Sequence, residues 1–226
     1  MRLLVHVEGQ TEESFVNEVL GPYLIGHGYE SVSARLLGNS RMRTHRGGIS
    51  AWHAVRTDIC NHLRQDAGAV ATTMVDYYGM PADSWPGRAA ANGLQFERKA
   101  SCVEEAIHAD LTAQMGYAVN PDRFIPYVAM HEFEGLLFSD CKGLAEGVGM
   151  AALEHRFVEV RNAFETPEHI NDSVATAPSK RIQGIHPGYQ KVLHGPMAAV
   201  FVGLDSIRAQ CAGFDRWIHR LVGLVA

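Results

Sequence analysis

Four carboxylates occupy places where an acid does more than solvate a surface. Glu8 follows the apolar run LLVHV and precedes Gly9, Asp76 closes AVATTMVD, and Glu132 and Glu134 lie in HEFEG, directly after RFIPYVAM. Each acid or pair thus follows a different strand-like run. In a parallel sheet all strands point one way, so residues just past their carboxyl ends gather along one edge, where ligands bind. Glu8, Asp76 and the Glu132/Glu134 pair can therefore converge. Carboxylates brought together repel and raise one another's pKa, and they stay ionised at neutral pH when a cation shares the site. Oxygen-only ligation suits Mg²⁺ or Mn²⁺, ions that keep several waters and also bind phosphate oxygens. Each acid also has a plainer role. Glu8 can accept amide hydrogens from a helix start, Asp76 can form a turn before Gly79, and HEFE can open a helix. The coincidence of all of them at like ends of strands favours the shared site.

The elements that would position them alternate. RLLVHV reads as a buried strand, and Thr11 then precedes a helix with Glu12 and Glu13 in its first turn and an apolar stripe from Phe15 to Leu24. SVSARLLG reads as a second strand, and residues 49 to 66 as a helix carrying Trp52, Val55, Ile59 and Leu63. A third strand covers 69 to 78 and ends before the turn signal GMP. Residues 79 to 100 lack periodicity and read as a long loop. Ser101 and Glu104 have the spacing of a capping box ahead of Val103, Ile107, Leu111 and Met115. A fourth strand, 123 to 130, is interrupted by Pro126 and so reads as an edge or bulged strand. Strand and helix in alternation predict βαβ units and a mostly parallel sheet flanked by helices. Beyond 140 the pattern turns helical, which divides the chain into an α/β core, 1–140, and a helical C-terminal extension packed on it, 141–226.

Composition narrows the function classes. With 226 residues, 46% of them hydrophobic, the chain can bury a substantial core. The opening residues have no signal-peptide layout and no apolar run reaches the length of a membrane span, so a soluble cytoplasmic protein is expected. Four dispersed cysteines argue neither for a zinc knuckle nor for secretion. A net charge of -5 rules out a uniformly basic surface, but RMRTHRGG clusters Arg41, Arg43 and Arg46 as a strip that could bind phosphate.

VEGQTEESFV, a strand followed by DYYG, and the acidic HEFEGLLFSD together resemble the Toprim-like domains of the topoisomerase-primase type. More closely, they resemble an uncharacterised bacterial group related to the nucleases of the overcoming-lysogenization-defect type. The resemblance covers roughly residues 1 to 140, and APSKRI at 177 to 182 is similar to that group as well. It implies a Toprim-like sheet, Mg²⁺ or Mn²⁺ as cofactor and nucleic acid, DNA rather than RNA, as substrate. It also implies a separately encoded ATPase of the ABC or SMC type, in bacterial defence or DNA repair. Glu8 matches the family's first acid and Asp76 the first acid of its Asp-x-Asp motif. Tyr78 stands in place of the second, so that Glu132 or Glu134 would have to supply the missing ligand.

A site completed in that way would orient a phosphodiester, lower the pKa of a bound water and neutralise charge on the leaving oxygen. Asp76 would bridge two ions, and Glu8 would ligate one or act as general base. Lys180, as a catalytic lysine, with Arg181 and Lys191 would hold phosphate. Other motifs fall away. GVGMAA has the spacing of a dinucleotide-binding turn without the strand that should precede it, and HEFEG has Gly135 where a zincin has its second histidine. Two rival functions remain: a catalytically silent Toprim-like module that binds nucleic acid or a partner, favoured by Tyr78, and a metal-dependent phosphohydrolase of small substrates, favoured by the negative net charge.

Overall fold

The computed structural model describes residues 1–37, 50–116, 120–171 and 174–226. Its centre is a parallel sheet. Strand β1 (Arg2–Val7) pairs on one side with β2 (Ser31–Leu36) and on the other with β3 (Ala69–Asp76). The fourth run is split: β4 (Phe124–Ile125) and β5 (Val128–Ala129) both pair with β3, on either side of Pro126. Proline has no amide hydrogen to give to a ladder, so the break falls where the sequence places it. Burial follows position in the sheet. All of β3 up to Val75 is buried, whereas β2 alternates between exposed and partly exposed residues, as an edge strand with one covered face does.

Each face of the sheet is covered by helices. On one, α3 (Trp52–Gln65) and α4 (Phe96–Met115) pack Ile59, Leu63, Val103 and Ile107 against Ala71, Val75 and Tyr77. On the other, α1 (Gln10–Phe15) continues through one π-helical stretch, Val16–Leu20, into α2 (Gly21–Gly26). Phe15 and Leu20 there meet Leu3, Val5 and Met74. That same cluster takes in the C-terminal helices α6 (Cys141–Gly147), α7 (Glu154–Asn162), α9 (Lys191–Val202) and α11 (Ala212–Val222), through Leu144, Phe157, Ala198 and Phe214. Helices α6 and α9 approach so closely that a Cβ on Gly147 would lie 2.4 Å from the Ala198 Cα, a space only glycine leaves open.

Two local expectations are corrected. Helix α4 starts at Phe96, so Ser101 and Glu104 lie inside it and form no capping box. The Ser101 hydroxyl donates to the Arg98 carbonyl one turn back, and Glu104 Oε1 accepts the Val128 amide at 2.9 Å, a tertiary partner in place of the Ser101 amide. The segment before it is not a plain loop: Met80, Trp85 and Ala91 are buried, and Ala90–Gly93 forms a 3₁₀ turn. Arg88 fixes it by donating to the Tyr77 carbonyl at 2.8 Å with its guanidinium 3.8 Å above the Tyr77 ring.

The sheet is also tied to the C-terminal helices by polar contact. Thr72 Oγ1, buried in β3, donates to the Ile125 carbonyl and accepts the Trp217 indole N–H at 2.8 Å. Thr72→Val keeps the shape but leaves that indole N–H and that carbonyl unpaired. An unmade buried hydrogen bond costs about 1 to 3 kcal/mol, so a thermal melt is expected to show a fall of a few degrees.

Candidate functional site

The parallel register brings the acids together. Val7 pairs with Met74, so the residues that follow, Glu8 and then Asp76, leave neighbouring strands at the same end of the sheet. Asp76 pairs in turn with Ala129, three residues before Glu132. Beyond its strand the chain turns sharply. Asp76 Oδ1 accepts the Tyr78 amide at 2.8 Å, and the Gly79 amide also reaches the carboxylate. Gly9 leads from Glu8 into α1 in an extended conformation.

Glu132 and Glu134 flank the start of α5 (Glu134–Leu137), and each is held by an element from the C-terminal half. Glu132 Oε2 accepts the Ser179 amide at 3.0 Å, at the first turn of α8 (Pro178–Ile185). Glu134 is fully buried, with the Tyr189 hydroxyl donating to Oε1 at 3.2 Å and Lys191 Nζ 2.9 Å from Oε2. The same ammonium lies 3.9 Å from Glu132 Oε1. Close approach of α9 permits this: a Cβ on Gly195 would meet Thr11 Cγ2 at 2.8 Å and Tyr189 Oη at 3.4 Å.

Electrostatically the acids form one system with too little positive charge. Burial, together with Asp76 and Glu12, pushes Glu8 up to about 7. Burial raises Asp76 to about 6, Glu132 adding to the shift while the Tyr78 and Gly79 amides and Lys191 oppose it. Burial also raises Glu134 to about 7 against the pull of Lys191. Burial works against the Lys191 charge, but Glu134, Glu12 and Glu132 more than offset it and hold the ammonium well above the ordinary lysine value. One lysine thus serves as counter-ion to several carboxylates.

Among the described residues no three histidine, cysteine, aspartate or glutamate side chains are grouped tightly enough to form a ready-made metal cage. Glu8 and Asp76 nevertheless fit the needs of Mg²⁺, which takes one or two protein carboxylates and fills its remaining positions with water and phosphate. Burial, the main cause of their raised pKa values, means that ionising both is easier when a cation shares the site. His131 beside them is held neutral: burial, with His169 and Lys99 as lesser causes, lowers it to about 4.

The other expected residues lie apart or are engaged elsewhere. Lys180 Nζ donates to Gln183 Oε1 at 3.2 Å from an exposed position. Arg181 donates to the Thr176 carbonyl at 2.8 Å and packs on the Phe164 ring at 4.8 Å. Arg41, Arg43 and Arg46 lie outside the described residues. Lys191, expected to hold phosphate, is instead the counter-ion of Glu134 and Glu132. Tyr189 and Glu12 were not anticipated. Glu12 reads as an ordinary first-turn acid, and nothing in the spacing around Tyr189 shows that its hydroxyl reaches Glu134.

Among the described residues no helix is long and apolar enough to cross a membrane. The fold is similar to two solved structures with a TM-score of 0.45 each. One is the C-terminal region of the Xanthomonas campestris pv. campestris OLD protein, at 12% identity over 99% of this chain and 95% of that one. The other is the C-terminal region of the Burkholderia pseudomallei OLD protein, at 13% identity over 99% of this chain and 98% of that one. No curated protein matches the chain significantly. Residues 7–222 match the family described as Domain of unknown function (DUF4276), and the chain belongs to it.

Proposed function

We propose that the protein is a Mg²⁺- or Mn²⁺-dependent phosphodiester hydrolase of the Toprim type acting on DNA, working with a separately encoded ATPase of the ABC or SMC type. The observation that carries the reading is the meeting of Glu8 and Asp76 at the ends of adjacent parallel strands, both pushed up by burial and by neighbouring carboxylates. Such pairs of perturbed acids mark sites built for a charge that is not their own.

Glu8 and Asp76 would hold the metal, with Glu132 next in line. When bound, the ion supplies Lewis acidity for a water and for the leaving oxygen. The chain supplies the rest. The Tyr78 amide fixes the orientation of Asp76. Ser179 holds one oxygen of Glu132. Glu8, at the end of the strand next to Asp76, would accept a proton from an attacking water if it does not itself ligate the ion. Lys191 opposes the protonation that burial favours at Glu134 and limits the negative charge that a phosphate has to approach.

Isothermal titration of Mn²⁺ tests this directly. The wild type is expected to bind, Glu8→Gln and Asp76→Asn each to lose binding while remaining folded by thermal melt, and affinity to fall below pH 7 as protons compete for the same oxygens. A wild type that takes up no divalent ion at millimolar concentration would remove the proposal and leave Glu8 as a helix-start acceptor.

A further inference from the structure

Next to the acids a line of rings leads away across the surface. Tyr78, which stands where the Toprim pattern that the sequence resembles has an acid, is 51% exposed, whereas its neighbour Tyr77 is fully buried under Arg88. The Tyr78 ring stacks on His131 with centroids 5.1 Å apart and planes within 6°. His131 meets Phe96 at 5.8 Å, and Phe96 stacks on His169 at 4.1 Å. Phe96 and His169 line a cavity of about 780 Å³ between α4 and α11, together with Arg98, Arg216 and Trp217. The core does not require this arrangement, because Tyr78 leaves half its surface in water.

We infer that the Tyr78–His131 stack is a platform for an unpaired nucleobase, so that the substrate strand enters the carboxylate site single-stranded. The inference rests on the nucleic-acid reading of that site and narrows it. With His131 stacked on it and the Arg88 guanidinium 5.8 Å from its centroid, the Tyr78 ring still leaves half its surface in water, and such a π surface can take a base whatever its identity. In a duplex both faces of each base are covered by neighbours, so the platform serves only a strand that has been opened. Position supports the same conclusion: the Tyr78 amide is bonded to Asp76 itself, so a base on the ring brings its own backbone to the acids. Lys99 lies near enough to influence His131 and Arg98 is exposed beside it, giving the backbone cationic neighbours along the line of rings.

Fluorescence anisotropy in EDTA separates binding from cleavage. The probes are a labelled oligothymidylate of about 12 nucleotides, within the usual range of single-strand footprints, the corresponding duplex, and thymidine monophosphate as competitor. The single strand is expected to bind about tenfold or more tightly than the duplex. Tyr78→Ala is expected to weaken it about tenfold and Tyr78→Phe to leave it within about twofold, in line with base–aromatic stacking. Thermal melts check that each variant is folded. Unchanged affinity in Tyr78→Ala, or a preference for duplex, overturns the platform. Monophosphate that binds as tightly as the oligonucleotide overturns the strand and assigns the stack to a free nucleotide. Binding by the platform with no metal-dependent cleavage sinks the hydrolase reading alone, and cleavage with Tyr78-independent binding sinks the platform alone.

Discussion

Asp76→Asn is expected to abolish metal-dependent cleavage and, at the same time, to make the metal-free protein more stable. The two effects have one cause. Burial raises Asp76 from its ordinary 3.8 to about 6, so in the folded state the ionised form is disfavoured. For a raised carboxylate the stabilisation is fully present below the unfolded pKa and is lost as pH climbs through the folded one. Asparagine keeps an oxygen for the Tyr78 amide and never ionises. The melting-temperature difference between variant and wild type should therefore open between pH 4 and pH 6, widen a little further to about pH 7 because Glu8 also loses the neighbouring charge that raises it, and stay level above. Each pKa unit corresponds to 1.36 kcal/mol, which puts the gap on the order of 2 to 3 kcal/mol, or roughly 5 to 10 °C for a chain of this size. Using the difference cancels His6 and His131, whose lowered values act in the opposite direction on both proteins. Saturating Mn²⁺ should close the gap by stabilising only the wild type, by about 2.7 kcal/mol at a hundredfold excess over Kd. A gap that is flat with pH, or a variant that still cleaves, would show that Asp76 is a turn-former and nothing more.

The strand ends were readable from sequence because two independent signals met there. Apolar runs of strand length end in acids, and the parallel arrangement follows from the alternation with helices. Pro126 marks the broken edge strand for a simple covalent reason, the missing amide hydrogen. What local pattern could not supply was the contribution of the C-terminal half. Ser179, Tyr189 and Lys191 reach the acids from α8, α9 and the link between them, contacts between residues far apart in the chain that no periodicity encodes. The start of α4 was misplaced for the same reason. Glu104 looks like half of a capping box until β5 is present to offer the Val128 amide. Lys191 shows the limit best: its type and position suggest a phosphate ligand, and only the fold shows that its ammonium pairs with the buried Glu134.

Removal of that counter-ion should be costly in a way that depends on pH. Lys191→Met leaves Glu134 fully buried with the Tyr189 hydroxyl and its own backbone amide as partners but no counter-charge. Breaking a fully buried pair typically costs about 3 to 5 kcal/mol because a charge is left uncompensated; with the Lys191 side chain 37% exposed, solvent screens part of this and the cost here is nearer about 1 to 3 kcal/mol. Glu134 has an escape, since burial already raises it to about 7 and the loss of Lys191 raises it further, so the acid can take up a proton instead. The sign follows: below the folded pKa the protonated acid tolerates the change and the variant melts only slightly early, and as pH rises through it the full penalty develops. Melts at pH 5.5 and pH 8.5 should therefore differ far more in the variant than in the wild type. Lys191→Met combined with Glu134→Gln should recover most of the loss, since a neutral amide can still accept the Tyr189 hydroxyl. The single variant should also bind Mn²⁺ more tightly at pH 8.5, where competition from protons is weak, because the ammonium that lowers both Glu8 and Asp76 is gone. Equal penalties at both pH values would mean that the aliphatic stem of Lys191, not its charge, is what the fold needs. Weaker Mn²⁺ binding would mean that the lysine organises the acids instead of competing with the metal for them.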